Sequence, residues 1–162
     1  MEVFSNSKCK MEATKNKRMP RGIRNNNPLN LRRTKTYWAG LSQEQTDPAF
    51  CQFSSMTFGW RAAWMTLRSY YNKYGLRTVR DILNRWAPPS DSNNTDRYIG
   101  IVSEKSGWKA DKVLPSPDEA PATWMHIMAA MATVENGEYY GSQLSEDEIV
   151  VAWHLMELSV VR

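Results

Sequence analysis

Residues 122–135, ATWMHIMAAMATVE, form the most apolar helical pattern in the chain, and Asn136-Gly137 follows them directly. Met125, Met128 and Ala132 recur at the spacing of one helical face. An Asn-Gly pair commonly ends a helix, because both residues tolerate the left-handed backbone conformation. This stretch therefore predicts an apolar helix that ends beside Glu135.

Further helices are predicted on both sides of this one. Helical periodicity runs through residues 56–74, and Thr78 and Thr95 have the side chains preferred at helix N-caps. Ser145 and Glu148 have the spacing of a capping box, which predicts the start of a last helix. The resulting fold class is mainly α.

A small β-hairpin is the one predicted exception to the helical pattern. Residues 29–38 and 50–53 read as short strands joined by a polar stretch that contains turn-forming residues. We assign residues 21–162 to a single domain and residues 1–20 to a basic, disordered tail, since one core serves chains of about 100–200 residues.

Composition and charge narrow the class of protein. Hydrophobic residues make up 41% of the 162 positions, and no apolar run reaches the roughly 20 residues of a membrane-spanning helix. Residues 1–40 carry ten Lys/Arg against two acidic residues, whereas residues 41–162 carry eleven against fifteen. The body lacks the basic face of nucleic-acid-binding proteins. We expect no nucleic-acid partner and no membrane insertion, and the basic arm suits an anionic surface such as a wall polymer.

The sequence lacks the common motifs of nucleophilic and metal-dependent enzymes. It has no GxSxG elbow, no phosphate-binding Walker loop and no HExxH, and its Cys and His residues show no ligand spacing. We therefore expect no metal and no cofactor. Seven Trp and seven Tyr accompany the carboxylates, a combination that suits chemistry on sugars.

Glu135 is the candidate general acid. It lies at the predicted C-terminal end of the apolar helix, where unpaired carbonyl groups disfavour a negative charge. If its side chain faces the interior, burial also raises its pKa, and a general acid needs a proton held near neutral pH. The alternative is an exposed residue at a helix end.

Several short segments resemble a known family of enzymes. They are residues 26–31 (NNPLNL), 38–40 (WAG), 50–54 (FCQFS) and 94–98 (NTDRY). In this order they are similar to motifs of the bacterial N-acetylglucosaminidases that act as autolysins. The resemblance spans residues 22–104 and implies a lysozyme-like fold that cuts the glycan strands of peptidoglycan.

The position of the acid differs from that family. In that family the catalytic Glu precedes the Asn-Asn turn. In this sequence the candidate before the turn is Glu12, which lies in the predicted disordered tail. Glu135-Asn136-Gly137 resembles the helix ends that hold the acid in lysozyme-like enzymes. We therefore expect a circular permutation, which is tolerated because the termini of compact domains are often close together.

A second resemblance covers most of the chain. The segments that carry it are residues 22–28 (GIRNNNP), 85–89 (RWAPP), 93–99 (NNTDRYI) and 135–137 (ENG). They are similar to short proteins of bacteriophages and prophages of Gram-negative bacteria. Members of that group are called virion structural proteins or lytic enzymes, so the resemblance leaves both functions open.

Together these patterns predict a peptidoglycan-cleaving glycosidase: a muramidase, a glucosaminidase or a lytic transglycosylase. Glu135 is the expected acid, and Asp47 is expected to act as a distant base or to position water. The alternative is a catalytically inert phage or prophage virion structural protein or wall-binding protein. The residues expected to contact the glycan are Asn25, Asn26, Asn27, Tyr37, Trp38, Thr95 and Tyr98.

The three Asn side chains suit either acetamido groups or the turn itself, and we expect the turn to face Glu135 across a cleft. The expected partner is the peptidoglycan glycan strand, bound by a monomer. Since the N-terminus lacks the apolar core of a signal peptide, the protein is expected to reach the wall through a holin-formed hole or within a virion.

Overall fold

The computed structural model describes residues 19–160, so nearly all of the predicted tail (residues 1–20) lies outside the described residues. Within that range the chain is mainly α, as predicted. Its α-helices are α1 (Arg21–Arg24), α2 (Met56–Asn72), α3 (Val79–Trp86), α4 (Thr95–Ser106), α5 (Pro121–Asn136), α6 (Glu138–Gly141) and α7 (Glu146–Val160), and a 3₁₀ turn lies at Pro89–Asp91.

The predicted hairpin does not form a ladder. Among the described residues, the predicted strands 29–38 and 50–53 share one isolated antiparallel bridge, Arg32 with Phe50, and a second isolated bridge joins Leu41 to Phe53. Side chains take the backbone groups that a ladder would use: Gln45 Oε1 accepts from the Gln52 amide, and Asp47 Oδ1 accepts from two amides that follow it. The hairpin prediction is therefore corrected to a loop pinned by side chains.

Helix boundaries follow the capping residues closely. The Thr78 side chain accepts a hydrogen bond from the Asp81 amide and caps α3, as predicted. The cap of α4 is Asn94, whose side chain accepts from the Arg97 amide, so Thr95 is the first helical residue and not the predicted cap. Gly107 ends α4 with φ of +72°, a conformation that favours glycine.

Helix α2 has one face in the hydrophobic core and another beside an open cavity. Trp60, Trp64 and Leu67 are fully buried, and the Trp64 indole donates to the Ile149 carbonyl of α7 at 3.0 Å. Met65 and Ser69 of the same helix line an open cavity. The helix therefore has one face in the core and another available to a site.

The apolar helix α5 runs through the core and ends against α1. Trp124, Ile127, Met128 and Met131 of α5 are each at most 1% exposed. At its last turn the buried Asn136 amide donates to the Pro28 carbonyl at 2.8 Å. This contact brings the Asn-rich turn, more than a hundred residues earlier in the chain, to the end of α5.

No helix among residues 19–160 is both long enough and apolar enough to cross a membrane.

Candidate active site

Glu135 lies in the last turn of α5, where the Asn136 anchor sets its direction. Its side chain is partly buried, and it faces residues of three other parts of the chain. Asn30 Nδ2 donates to Oε2 at 2.9 Å, while the Tyr98 hydroxyl and the Trp86 indole donate to Oε1 at 3.1 and 3.4 Å. The exposed helix-end alternative therefore does not describe this residue.

Burial and hydrogen bonding act on this carboxyl in opposite directions. Burial raises the pKa of Glu135, whereas the hydrogen bonds from Asn30, Tyr98 and Trp86 and the nearby charge of Arg32 lower it. The effect of burial is the larger, so the pKa of Glu135 lies above its ordinary value. The group can thus hold a proton to a higher pH than an exposed glutamate.

Tyr98 is the most enclosed of the three donors. Burial, followed by the charge of Glu135, holds the pKa of the Tyr98 hydroxyl well above its ordinary value. It therefore remains a protonated donor at neutral pH. Tyr98 lies in the first turn of α4, which begins at Thr95. Its side chain points toward α5, where the hydroxyl donates to Glu135.

Glu135 borders an open cavity of about 890 Å³, a size ordinary for a ligand site. Its lining comes from residues 30–38 with Phe50, from the solvent-side face of α2, and from residues 85–93 at the end of α3. Asn30 belongs to the first of these groups and Trp86 to the third, so Glu135 lies where they meet. The aromatic side chains in the lining are Trp38, Phe50, Tyr70, Tyr74 and Trp86.

The three consecutive asparagines do not line this cavity. Asn27, fully buried, donates to the carbonyls of Leu31 and Cys51, and Asn26 donates to the Phe53 carbonyl. Asn25 donates to Asp47 at 3.0 Å. Their amide groups hold the loop together, so the turn-stabilising alternative fits their placement. The residue of this segment that reaches Glu135 is Asn30.

The Asp47 carboxylate is likewise bonded to other groups of the chain, and the residue lies outside the cavity lining. Its carboxylate accepts from the Ala49 and Phe50 amides and from Asn25, and it pairs with Arg21 at 3.4 Å. Desolvation raises the pKa of Asp47, but these hydrogen bonds and the Arg21 charge outweigh it and leave the pKa below its ordinary value. This arrangement suits a turn anchor, and Asp47 is not brought together with Glu135.

The remaining predicted contacts divide between the cavity and other places. Trp38 lines the cavity, and Tyr98 reaches it through Glu135. Tyr37 is 87% exposed and lies outside the lining, whereas Thr95 is buried, with its hydroxyl donating to the Ala87 carbonyl. Of the seven predicted glycan contacts, Trp38 lies in the cavity lining and Tyr98 contacts Glu135 at its border, whereas the other five do neither.

Several residues of the site were not predicted as such. Asn30 follows the Asn-Pro turn and has a left-handed φ of +52°, which directs its amide to Glu135. Trp86 is the last residue of α3, and its indole nitrogen donates a hydrogen bond to the Glu135 carboxyl. Asp91 is a second carboxylate in the lining. The Asn-rich turn and the RWAPP segment were the available signals, because each carries a polar or aromatic side chain beside a proline.

The described residues contain no group of three His, Cys, Asp or Glu side chains placed to hold a metal ion. What they assemble is one carboxyl with a raised pKa, held by three donors at the border of an aromatic cavity. Such a group can donate a proton to a bound ligand and can then be stabilised as the carboxylate.

No protein-family model matches this chain. It is 38% identical over 120 residues to Protein P5 of Pseudoalteromonas phage PM2, an alignment that covers 72% of this chain and 71% of the phage protein.

Proposed function

Because this chain belongs to the family of Protein P5 of Pseudoalteromonas phage PM2, we propose that it is a phage-associated glycosidase that cleaves peptidoglycan with Glu135 as general acid. The substrate in this proposal is the glycan strand of peptidoglycan. The observation that carries the proposal is the Glu135 carboxyl, which combines burial, a raised pKa and three hydrogen-bond donors beside an aromatic cavity.

The proposed reaction begins with proton transfer from Glu135 to the glycosidic oxygen as the bond to the anomeric carbon breaks. The new carboxylate is stabilised by Asn30, Tyr98 and Trp86, which already donate to its two oxygens. It can then accept a proton from the attacking hydroxyl, which belongs either to water or to the sugar itself. The choice separates a hydrolase from a lytic transglycosylase.

The aromatic lining supports a sugar ligand over a small charged one. Trp38 and Trp86 are partly exposed in the cavity, and the apolar faces of sugar rings pack on indole rings. Asp91 is the second carboxylate of the lining and replaces Asp47 as the residue that would position an attacking water. The lysozyme-like, circularly permuted arrangement, with the acid helix after the Asn-rich turn, is part of this proposal.

The experiment is cleavage of purified peptidoglycan, with the released fragments identified by mass. We expect Glu135→Gln to abolish cleavage and to change the free energy of unfolding by only about 1 kcal/mol, since the amide keeps the shape and part of the hydrogen bonding. Glu138→Gln is the matched control, because Glu138 is exposed, three residues away and outside the lining. Full activity in Glu135→Gln overturns the assignment.

A catalytically inert phage structural or wall-binding protein is the second candidate function. It is favoured by the phage relative, whose printed name, Protein P5, states no activity. In that case both wild type and Glu135→Gln leave peptidoglycan uncut while either can still sediment with it. The fragments' masses in the wild-type reaction, compared with a buffer control, decide between the two.

A further inference from the structure

Two arginines in the cavity lining have no carboxylate partner among the described residues. Arg32 and Arg85 have no Asp or Glu oxygen within 4 Å there, whereas Arg21, Arg68 and Arg80 each form an ion pair. The two unpaired guanidinium groups come from different parts of the lining, the loop of residues 30–38 and the end of α3. Both are available to a ligand in the cavity.

Aromatic rings hold these guanidinium groups in place. The Arg85 guanidinium carbon lies 3.8 Å from the ring centre of Tyr74 and 5.0 Å from that of Tyr70. The Arg32 guanidinium carbon lies 5.0 Å from the ring centre of Phe50. A guanidinium carries five N–H donors, and two of them match the two oxygens of a carboxylate, so a guanidinium held against a ring can still bind one.

The charge of the cavity favours an anionic ligand during catalysis. Its charged lining residues are Arg32, Arg85, Asp91 and Glu135. When Glu135 carries the proton that it must donate, two positive charges face the single negative charge of Asp91. Peptidoglycan has carboxylates on its peptide stems, whereas a neutral polymer of N-acetylglucosamine has none.

Resting on the proposed function, we infer that this cavity selects glycan strands that bear carboxylates, and that Arg85 binds a stem-peptide carboxylate while the sugar lies beside Glu135. Arg85 is thus a specificity-determining residue and not a catalytic one. Arg32 contributes to the same selection, but it also lies close to Glu135, so its substitution would disturb the acid as well. Arg85 is therefore the residue to vary.

The test measures binding in the Glu135→Gln background, so that no ligand is cleaved. The two probes are a peptidoglycan disaccharide-tetrapeptide and the same fragment with its carboxylates converted to amides. We expect amidation to weaken binding about tenfold, the size ordinary for a hydrogen bond to a charged group. Arg85→Gln should weaken binding of the native fragment by a similar factor and leave the amidated fragment unaffected.

Arg77→Gln is the matched control. Arg77 stacks in the same way, 4.0 Å from the ring centre of Tyr71, but lies outside the cavity lining, so both affinities should be unchanged. Equal affinities of the two fragments, an equal loss of both in Arg85→Gln, or no binding of either, would overturn the inference. Failure of the proposed catalysis is recognised separately, by uncut peptidoglycan in the wild-type reaction.

Discussion

At the scale of single residues, the proposed chemistry depends on how Glu135 is surrounded. Burial raises its pKa, and three neutral donors with one nearby cation, Arg32, limit that rise. Such a carboxyl is protonated to a higher pH than an exposed one, yet its anion is stable enough to form during a reaction. Each donor therefore tunes the acid.

Tyr98→Phe tests this tuning. The Tyr98 hydrogen bond lowers the pKa of Glu135, so its removal should raise that pKa further, and the pH at which activity declines should move upward. The measurements are the pH profile of peptidoglycan cleavage and the Glu135 carboxyl titration followed by ¹³C NMR, which needs no activity.

Tyr71→Phe is the control for Tyr98→Phe, because the Tyr71 hydroxyl donates to the Leu114 carbonyl and lies outside the cavity lining. It should leave the Glu135 titration unchanged. A Glu135 pKa that stays constant or falls in Tyr98→Phe would contradict the assigned role of the hydroxyl.

At the scale of secondary-structure elements, the site depends on how α1 meets the end of α5. A Cβ at Gly22 would collide with the Asn136 side chain and would lie 2.9 Å from the Asn27 carbonyl oxygen. Backbone this close to a buried side chain leaves no room for even one methyl group. The packing of α1 therefore positions the loop that carries Asn30 toward Glu135.

Gly22→Ala should lower the free energy of unfolding by roughly 1–3 kcal/mol through overpacking. Cleavage should fall as well, because Asn30 and Glu135 would no longer be held together.

Gly100→Ala is the control with the opposite expected effect. Gly100 lies in α4 with open space around its Cβ position, and alanine there should stabilise the protein by about 0.5–1 kcal/mol. Urea unfolding of both variants measures the difference. Equal stabilities would exclude the close packing.

At the scale of the whole molecule, one hydrophobic core supports the cavity. The core runs from Leu29 to Met156 and includes Trp60, Trp64 and Trp124, all fully buried. A smaller cluster of Cys51, Phe53 and Ala62 joins the loop of residues 31–55 to α2. Because residues 1–18 are polar and basic, we predict that the fold does not require them.

Removal of residues 1–18 should therefore change the free energy of unfolding by no more than about 0.5 kcal/mol. Because the removed segment carries five Lys/Arg and two Glu, attachment to an anionic wall at low salt should weaken. Thermal unfolding and sedimentation with peptidoglycan at low and high salt are the measurements. A clear fall in melting temperature would show that the segment belongs to the fold.

The sequence alone determined the features that depend on near neighbours. Helical periodicity and local signals predicted the five longer helices, the Thr78 cap and the place of Glu135 at the end of an apolar helix, because these interactions span only a few residues. Tertiary structure alone decided what surrounds the acid. Its donors, Asn30, Trp86 and Tyr98, lie 105, 49 and 37 residues away in the chain. The same long-range packing turned the asparagines inward and replaced the expected hairpin with a loop, since burial and hydrogen-bond partners are set by the whole fold.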